Sequence, residues 1–191
     1  PHLGQALAHH RLCVRANMLL GDLEVALKNF SAAIDAWKRI ETQNPAYLAL
    51  VAERLFSAYE QLGKTGEGLI LLRGFLGKYP SLDVLNVVFT CILAQQGPEA
   101  AYQLVRDEMR RNPTLLGLDK LLEAQLLDAP VQRRQDLELV RNLVHQHTRS
   151  FEMYKCDNCG FRARQYYWHC PACGEWETYS PRRTEEKELA A

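Results

Sequence analysis

Four cysteines near the C-terminal end of the sequence constrain the chain more than any other feature. Cys156-x-x-Cys159 is followed by Gly160, and Cys170-Pro171-x-Cys173 is followed by Gly174. A tetrahedral ion needs four soft ligands converging on one point, and paired Cys-x-x-Cys turns supply them two at a time. Each turn wraps the ion closely and can aim backbone N–H groups at the sulfurs. The glycine after each pair stands where the turn calls for positive φ, which glycine adopts without strain. Disulfides are disfavoured because no signal peptide opens the sequence. A redox dithiol would leave the second pair unexplained. The four cysteines therefore read as ligands of one tetrathiolate metal ion, iron or zinc.

The remaining bounds are looser. The chain has 191 residues and is 47% hydrophobic, enough for a packed core. Lys and Arg total 23 against 23 Asp and Glu, so no bulk charge pulls the chain toward nucleic acid or an anionic membrane. No apolar run reaches the length needed to span a bilayer. The opening Pro1-His2-Leu3 lacks a Met and suggests a fragment, whose missing N-terminus is expected to hold any membrane anchor. Cys13 and Cys91 lie among apolar residues and read as buried free thiols of a reducing compartment.

Residues 1–150 read as one helix after another. Apolar stripes fall at helical spacing: Ala26, Phe30, Ala33, Ile34 and Trp37, then Leu48, Val51, Leu55, Tyr59 and Leu62. Later stripes are Leu85, Val88, Phe89 and Ile92, then Ala101, Leu104, Val105 and Met109. Leu118, Leu121 and Leu122 mark a further helix, and Leu137, Val140 and Val144 a last one. Breaks are expected at Gly21-Asp22, Gln43-Asn44-Pro45, Gly63-Lys64, Tyr79-Pro80-Ser81, Gln96-Gly97-Pro98, Asn112-Pro113 and Asp128-Ala129-Pro130.

These breaks are periodic. Pro45, Pro80 and Pro113 lie 35 and 33 residues apart, and Gly63 and Gly97 lie 34 apart. Leu55, Tyr59, Gly63, Gly68, Leu72, Phe75 and Pro80 fall at tetratricopeptide spacing, a repeat of two antiparallel helices with small residues where they pinch together. In the first unit Pro45 arrives late, so its second helix should be extended; the third has one residue deleted. The expected fold is mainly α, a tetratricopeptide-like solenoid of helix pairs with a small C-terminal β ribbon. The expected divisions are 1–150 for the repeats, 151–180 for the metal ribbon, and 181–191 for a charged, flexible tail. A stack of helix pairs leaves a concave face that holds extended or helical partners.

No catalytic constellation is visible. There is no G-x-S-x-G, no H-E-x-x-H and no phosphate loop, so an enzyme is not expected. His145 and His147 read as helix-end histidines rather than ligands, and His9-His10 as an exposed helix face. His169 adjoins Cys170, but four thiolates already complete the shell. Glu185-Glu186 belongs to a run of mixed charge that reads as a solvated tail.

Around the cysteines stand Phe151, Tyr154, Phe161, Tyr166, Tyr167, Trp168, Trp176 and Tyr179. Short apolar–polar alternations between them point to a small antiparallel ribbon whose folding leans on its metal. The aromatics either cover the cluster or dock the ribbon on the last helices, docking being the preferred reading. The linker Thr148-Arg149-Ser150 is short. Between Arg149 and Arg183 six basic residues face four acidic ones, and four thiolates on a divalent ion cancel that excess. That balance argues against a phosphate-binding footprint.

A tail of the form Y-K-C-x-x-C-G-F … Y-W-H-C-P-x-C … W behind degenerate repeats resembles the lipopolysaccharide assembly protein B family. So do Tyr59-Glu60-Gln61-Leu62-Gly63-Lys64-Thr65 and Arg110-Arg111-Asn112-Pro113-Thr114. The resemblance covers essentially the whole chain. It implies a C-terminal rubredoxin-like domain with Cys156, Cys159, Cys170 and Cys173 as ligands. It also implies a non-catalytic adaptor on the cytoplasmic face of the bacterial inner membrane, attached through an N-terminal helix that this sequence lacks. Such an adaptor presents the lipid A pathway deacetylase to the FtsH protease, alongside other lipopolysaccharide assembly proteins, and so restrains lipopolysaccharide synthesis. The family name points to iron, while a short ribbon without a second redox centre points to a structural ion for which zinc suffices. The interval between the pairs is shorter than in electron-carrying rubredoxins. Two other readings stay open: a rubredoxin-like electron carrier and a zinc-ribbon nucleic-acid-binding module.

Overall fold

The computed structural model describes residues 13–185; His9-His10 and Glu186 lie outside the described residues. The fold is mainly helical, with one small two-stranded sheet. In order come α1 (Val14–Ala26), α2 (Phe30–Lys38), α3 (Ile40–Gln43) and a 3₁₀ turn (Pro45–Leu50). Then follow α4 (Ala52–Gln61), α5 (Thr65–Lys78), α6 (Leu82–Gln96), α7 (Pro98–Arg111), α8 (Leu115–Leu127) and α9 (Val131–Thr148). Strands β1 (Tyr154–Lys155) and β2 (Arg162–Ala163) complete the series. The chain forms two compact units, residues up to Val88 and residues from Phe89.

In the first unit α1 packs on α2, α2 on α4 across the intervening α3 and 3₁₀ turn, and α4 on α5. Ala33, Ile34, Trp37, Ile40, Leu48, Val51, Leu55 and Leu72 form the core. Trp37 is fully buried, and its Nε1 donates to the Met18 carbonyl at 3.2 Å, which satisfies the one polar atom of a large apolar side chain. Gly68 lies where α5 meets α4, and a Cβ there would come within 2.9 Å of Tyr59 Cβ. That close approach is the pinch between paired helices that the repeat spacing anticipates.

One expected break is misplaced. Gly21-Asp22 lies inside α1, where a Cβ on Gly21 would enter the Trp37 indole; the glycine serves packing and not a turn. The helix instead ends at Leu27. Lys28 takes the left-handed conformation (φ 62°), its N–H bonds the Val25 carbonyl, and Asn29 N–H reaches back to Glu24 O at 2.8 Å. This is a Schellman ending with lysine in the place glycine usually takes, so the sequence carried no signal for it. The stripe Ala26–Trp37 therefore straddles a turn. The extension expected before Pro45 is present but segmented, α2 stopping at Lys38 and the chain resuming as α3, with the 3₁₀ turn beginning at Pro45 itself. The other expected breaks fall between helices.

In the second unit α7 packs on α8 and α8 on α9, with Ala101, Val105 and Leu122 in the interior. Thr114 caps α8 by accepting from Gly117 N–H at 2.9 Å. Helix α9 is amphipathic in a looser sense than its stripe suggested. Leu137 and Val144 are half-buried, while Val140 joins Leu139 and Leu143 among the exposed residues. Cys91 is buried as expected; Cys13 is half-buried. Among the described residues no helix is long and apolar enough to cross a membrane.

Part of the stretch read as a flexible tail is held in place. Thr184 N–H and Oγ1 both bond the Met153 carbonyl, at 3.0 and 2.6 Å. Arg183 lies over the Tyr154 ring, 4.3 Å from its centroid. Glu185 is buried and accepts from Leu115 and Leu116 N–H at the start of α8, at 2.5 and 2.9 Å. A mixed-charge sequence looks solvated until a helix N-terminus offers unpaired donors to one of its carboxylates.

Candidate metal centre

The cysteines sit on two turns of the same construction. Gly160 N–H bonds Cys156 O at 2.9 Å and Cys156 N–H bonds Phe161 O at 2.9 Å. In the second turn Gly174 N–H bonds Cys170 O at 3.0 Å and Cys170 N–H bonds Glu175 O at 2.9 Å. Gly160 and Gly174 have φ of 77° and 73°, as the spacing required. Strands β1 and β2 pair antiparallel, Tyr154 opposite Ala163 and Lys155 opposite Arg162. Two further antiparallel bridges, Cys156 with Tyr179 and His169 with Trp176, close the ribbon around both turns.

This frame brings all four sulfurs together, every Sγ within 4.8 Å of the others. Cys156 lies 3.9 Å from Cys173, and Cys159 lies 3.7 Å from Cys170. Cys156 and Cys170 are buried, Cys173 is half-buried and Cys159 is exposed, so one edge of the cluster faces solvent.

The local donors favour charge on the buried pair. Burial pushes the Cys156 thiol up, but hydrogen bonds from Thr178 and from the Cys159 and Asn158 backbone outweigh it and bring the thiol down to about 6. Thr178 Oγ1 stands 3.1 Å from Cys156 Sγ. Cys170 is likewise lowered: burial opposes its ionisation, and the Cys173 and Ala172 backbone groups prevail. Cys159 goes the other way. The Phe161 backbone favours its thiolate, yet burial and the neighbouring sulfurs push it up to about 12. Sulfurs this close cannot all ionise against one another. A divalent cation among them removes the conflict and completes a tetrahedral thiolate shell. The donor set fits one tetrathiolate ion, and it accommodates iron or zinc equally.

The aromatics pack on one another. Tyr166 makes edge-to-face contacts with Tyr154 at 5.8 Å, Trp168 at 5.2 Å and Tyr179 at 6.3 Å. Tyr179 is buried, and its hydroxyl pKa is raised by burial first and by the Cys170 charge second. The group reaches the sulfurs through Tyr179. Phe161 and Trp176 remain exposed. His169 stacks on Trp176 at 4.8 Å between centroids and stays outside the four-sulfur cluster. Glu185 ties the segment after the ribbon to the start of α8.

His145 stands in the last turn of α9, as read, and has a partner the sequence did not show. Its Nδ1 lies 2.9 Å from Asp119 Oδ2, close to Glu152. Thr178, Glu185 and Asp119 were not singled out for these roles in the sequence. Each acts across 22 or more residues of chain, and only folding supplies that proximity.

Comparison with known proteins supports the same domain. A family model described as a rubredoxin metal binding domain matches residues 154–181. Lipopolysaccharide assembly protein B of Escherichia coli (strain K12) is 30% identical over 182 residues, covering 95% of this chain and 47% of the relative. The protein of that name from Haemophilus influenzae is 26% identical over 187 residues, covering 96% of this chain and 47% of the relative. The chain spans about half the length of these relatives, and along that span it is similar to lipopolysaccharide assembly protein B.

Proposed function

We propose that the chain is a non-catalytic adaptor in lipopolysaccharide assembly, built from tetratricopeptide-like helix pairs and ended by a metal ribbon. The observation that carries this reading is the similarity to proteins of that name over 95% of the chain, helices and ribbon together. Cys156, Cys159, Cys170 and Cys173 are the ligands of one iron or zinc ion with a structural role. The repeats occupy 1–150, the ribbon 151–180, and the charged tail follows. The helices recruit protein partners. A groove of about 420 Å³ lined by Asp22, Phe30, Trp37, Glu53 and Arg54 offers an apolar floor with a charged rim for a peptide segment.

In the finer form of the proposal the adaptor works at the cytoplasmic face of the bacterial inner membrane. There it brings the lipid A pathway deacetylase to the FtsH protease for degradation, held by an anchor N-terminal to this sequence.

A pull-down from bacterial membranes tests both levels, using the intact protein and a Cys156→Ser/Cys159→Ser variant, with metal assayed on each. Recovery of the deacetylase or the protease by the intact form alone supports recruitment and ties it to the ribbon. Recovery of neither, with a reversible one-electron couple at the site, overturns the adaptor in favour of an electron carrier. The exposed Cys159 sulfur would then be the edge through which the electron passes.

A further inference from the structure

We propose that Asp119, His145 and Glu152 form a second divalent-cation site, of nitrogen–oxygen character, where α8, α9 and the start of the ribbon meet. The three side chains each offer a ligand atom, and these atoms lie within 4.8 Å of one another. One imidazole with two carboxylates suits a first-row divalent ion such as zinc or cobalt, with water in the remaining positions.

The carboxylates are placed as ligands are placed. Asp119 is nine-tenths buried, and its Oδ1 is cut off from solvent without a hydrogen bond. Arg141 Nε stands 3.4 Å from that oxygen, too far for a good bond but near enough to orient the carboxylate toward His145. Arg141 is itself matched by Glu123 at 3.3 Å, and Glu123 also holds Lys120 at 3.1 Å. Around the site stand three carboxylates (Asp119, Glu123, Glu152) and the cations Arg141, Lys120 and Arg183, of which Arg141 and Lys120 pair with Glu123. The Glu152 carboxylate forms no ion pair among those found between described residues, although its backbone carbonyl accepts from Arg183.

Position gives the site a consequence. Asp119 lies on α8, His145 on α9, and Glu152 two residues before β1. An ion shared by the three would clamp the entry of the ribbon to both helices. This site is independent of the adaptor reading and of the four sulfurs.

Cobalt(II) is added to protein whose cysteine site is already filled with zinc, and binding is followed by its visible spectrum and by metal analysis. The expected result is one further equivalent lacking the sulfur-to-cobalt charge-transfer band. His145→Gln and Glu152→Gln should each weaken that equivalent by at least the ~10–100-fold that loss of an outer partner costs. His147→Gln, on the same helix but outside the cluster, should leave it unchanged. Helical circular dichroism confirms that each variant is folded. Absence of a further equivalent overturns the proposal. So does a further equivalent that survives in both His145→Gln and Glu152→Gln, or one that His147→Gln abolishes equally.

Discussion

The helices that close around Trp37 and the ribbon that closes around four sulfurs are held by different forces. Around Trp37 an apolar core removes Ala33, Ile34, Ile40, Leu48, Val51 and Leu55 from water, and polar groups serve mainly to complete hydrogen bonds. The ribbon has two strands of two residues each, and its fully buried side chains are few: Tyr154, Cys156, Cys170 and Tyr179. So little apolar area cannot offset the entropy of ordering the segment, and metal binding must supply the difference. The lesson is that the two regions should fail under different insults.

Metal removal gives the largest expected effect. Chelation, or Cys170→Ser, withdraws a binding free energy of about 10 kcal/mol or more that is also the folding free energy of the ribbon. The near-ultraviolet signals of Tyr154, Tyr166, Trp168 and Tyr179 should collapse while most of the far-ultraviolet helical signal survives. Parallel loss of both signals would show one cooperative structure and end the contrast.

The reciprocal experiment attacks the other core. Trp37→Ala leaves a cavity among α1, α2 and α4 and removes the indole bond to the Met18 carbonyl, costing about 3–5 kcal/mol. Urea unfolding of the helices should shift to lower denaturant while bound metal stays at its original stoichiometry. Loss of metal along with the helices would mean that the ribbon depends on that core.

A single kind of substitution should change sign between the regions. Gly160 sits at φ 77° in a metal turn, where a Cβ meets no neighbour but forces the backbone into an unfavourable conformation. Gly160→Ala should therefore weaken metal binding by about 1–2 kcal/mol, read as a roughly ten-fold loss of affinity. Gly74 lies on the exposed side of α5 with equal room around it. There Gly74→Ala should stabilise the helix by about 0.5–1 kcal/mol. Stabilisation at both sites would mean that the turn tolerates the side chain and that the glycine is not a requirement of the metal site.

What could be read in advance follows the same divide. The cysteine turns were legible because their chemistry is local: spacing, a following glycine and positive φ all lie within five residues. Most helix boundaries were legible for the same reason, with Pro80, Gly97, Pro113 and Pro130 at the joins. The end of α1 was hidden because Lys28 adopts a conformation for which lysine gives no sign. Gly21 looked like a breaker, since nothing in its neighbourhood shows that an indole 16 residues on needs its missing Cβ. The sulfur partner Thr178, the Asp119–His145 contact and the anchorage of Glu185 join segments distant in sequence. Composition alone assigned Glu185 to solvent.

That anchorage supplies the finest test of the contrast, because it joins the segment after the ribbon to a helix with neither apolar area nor metal. The Glu185 carboxylate spans two N–H groups of the first turn of α8, those of Leu115 and Leu116, while Thr114 already serves Gly117. Together the two side chains satisfy donors that a helix start would otherwise leave unpaired, and the negative charge lies at the positive end of the helix dipole. Glu185→Gln keeps the shape, removes the charge, and turns one acceptor into an amide that faces a donor. The expected cost is about 1 kcal/mol, with faster hydrogen exchange at Leu115 and Leu116 and no change in bound metal. The aromatic signals should persist, since the ion still closes the ribbon. Unchanged exchange at those two amides would show that the bond contributes nothing, and Thr184 and Arg183 would then tie the tail only to the ribbon, through Met153 and Tyr154.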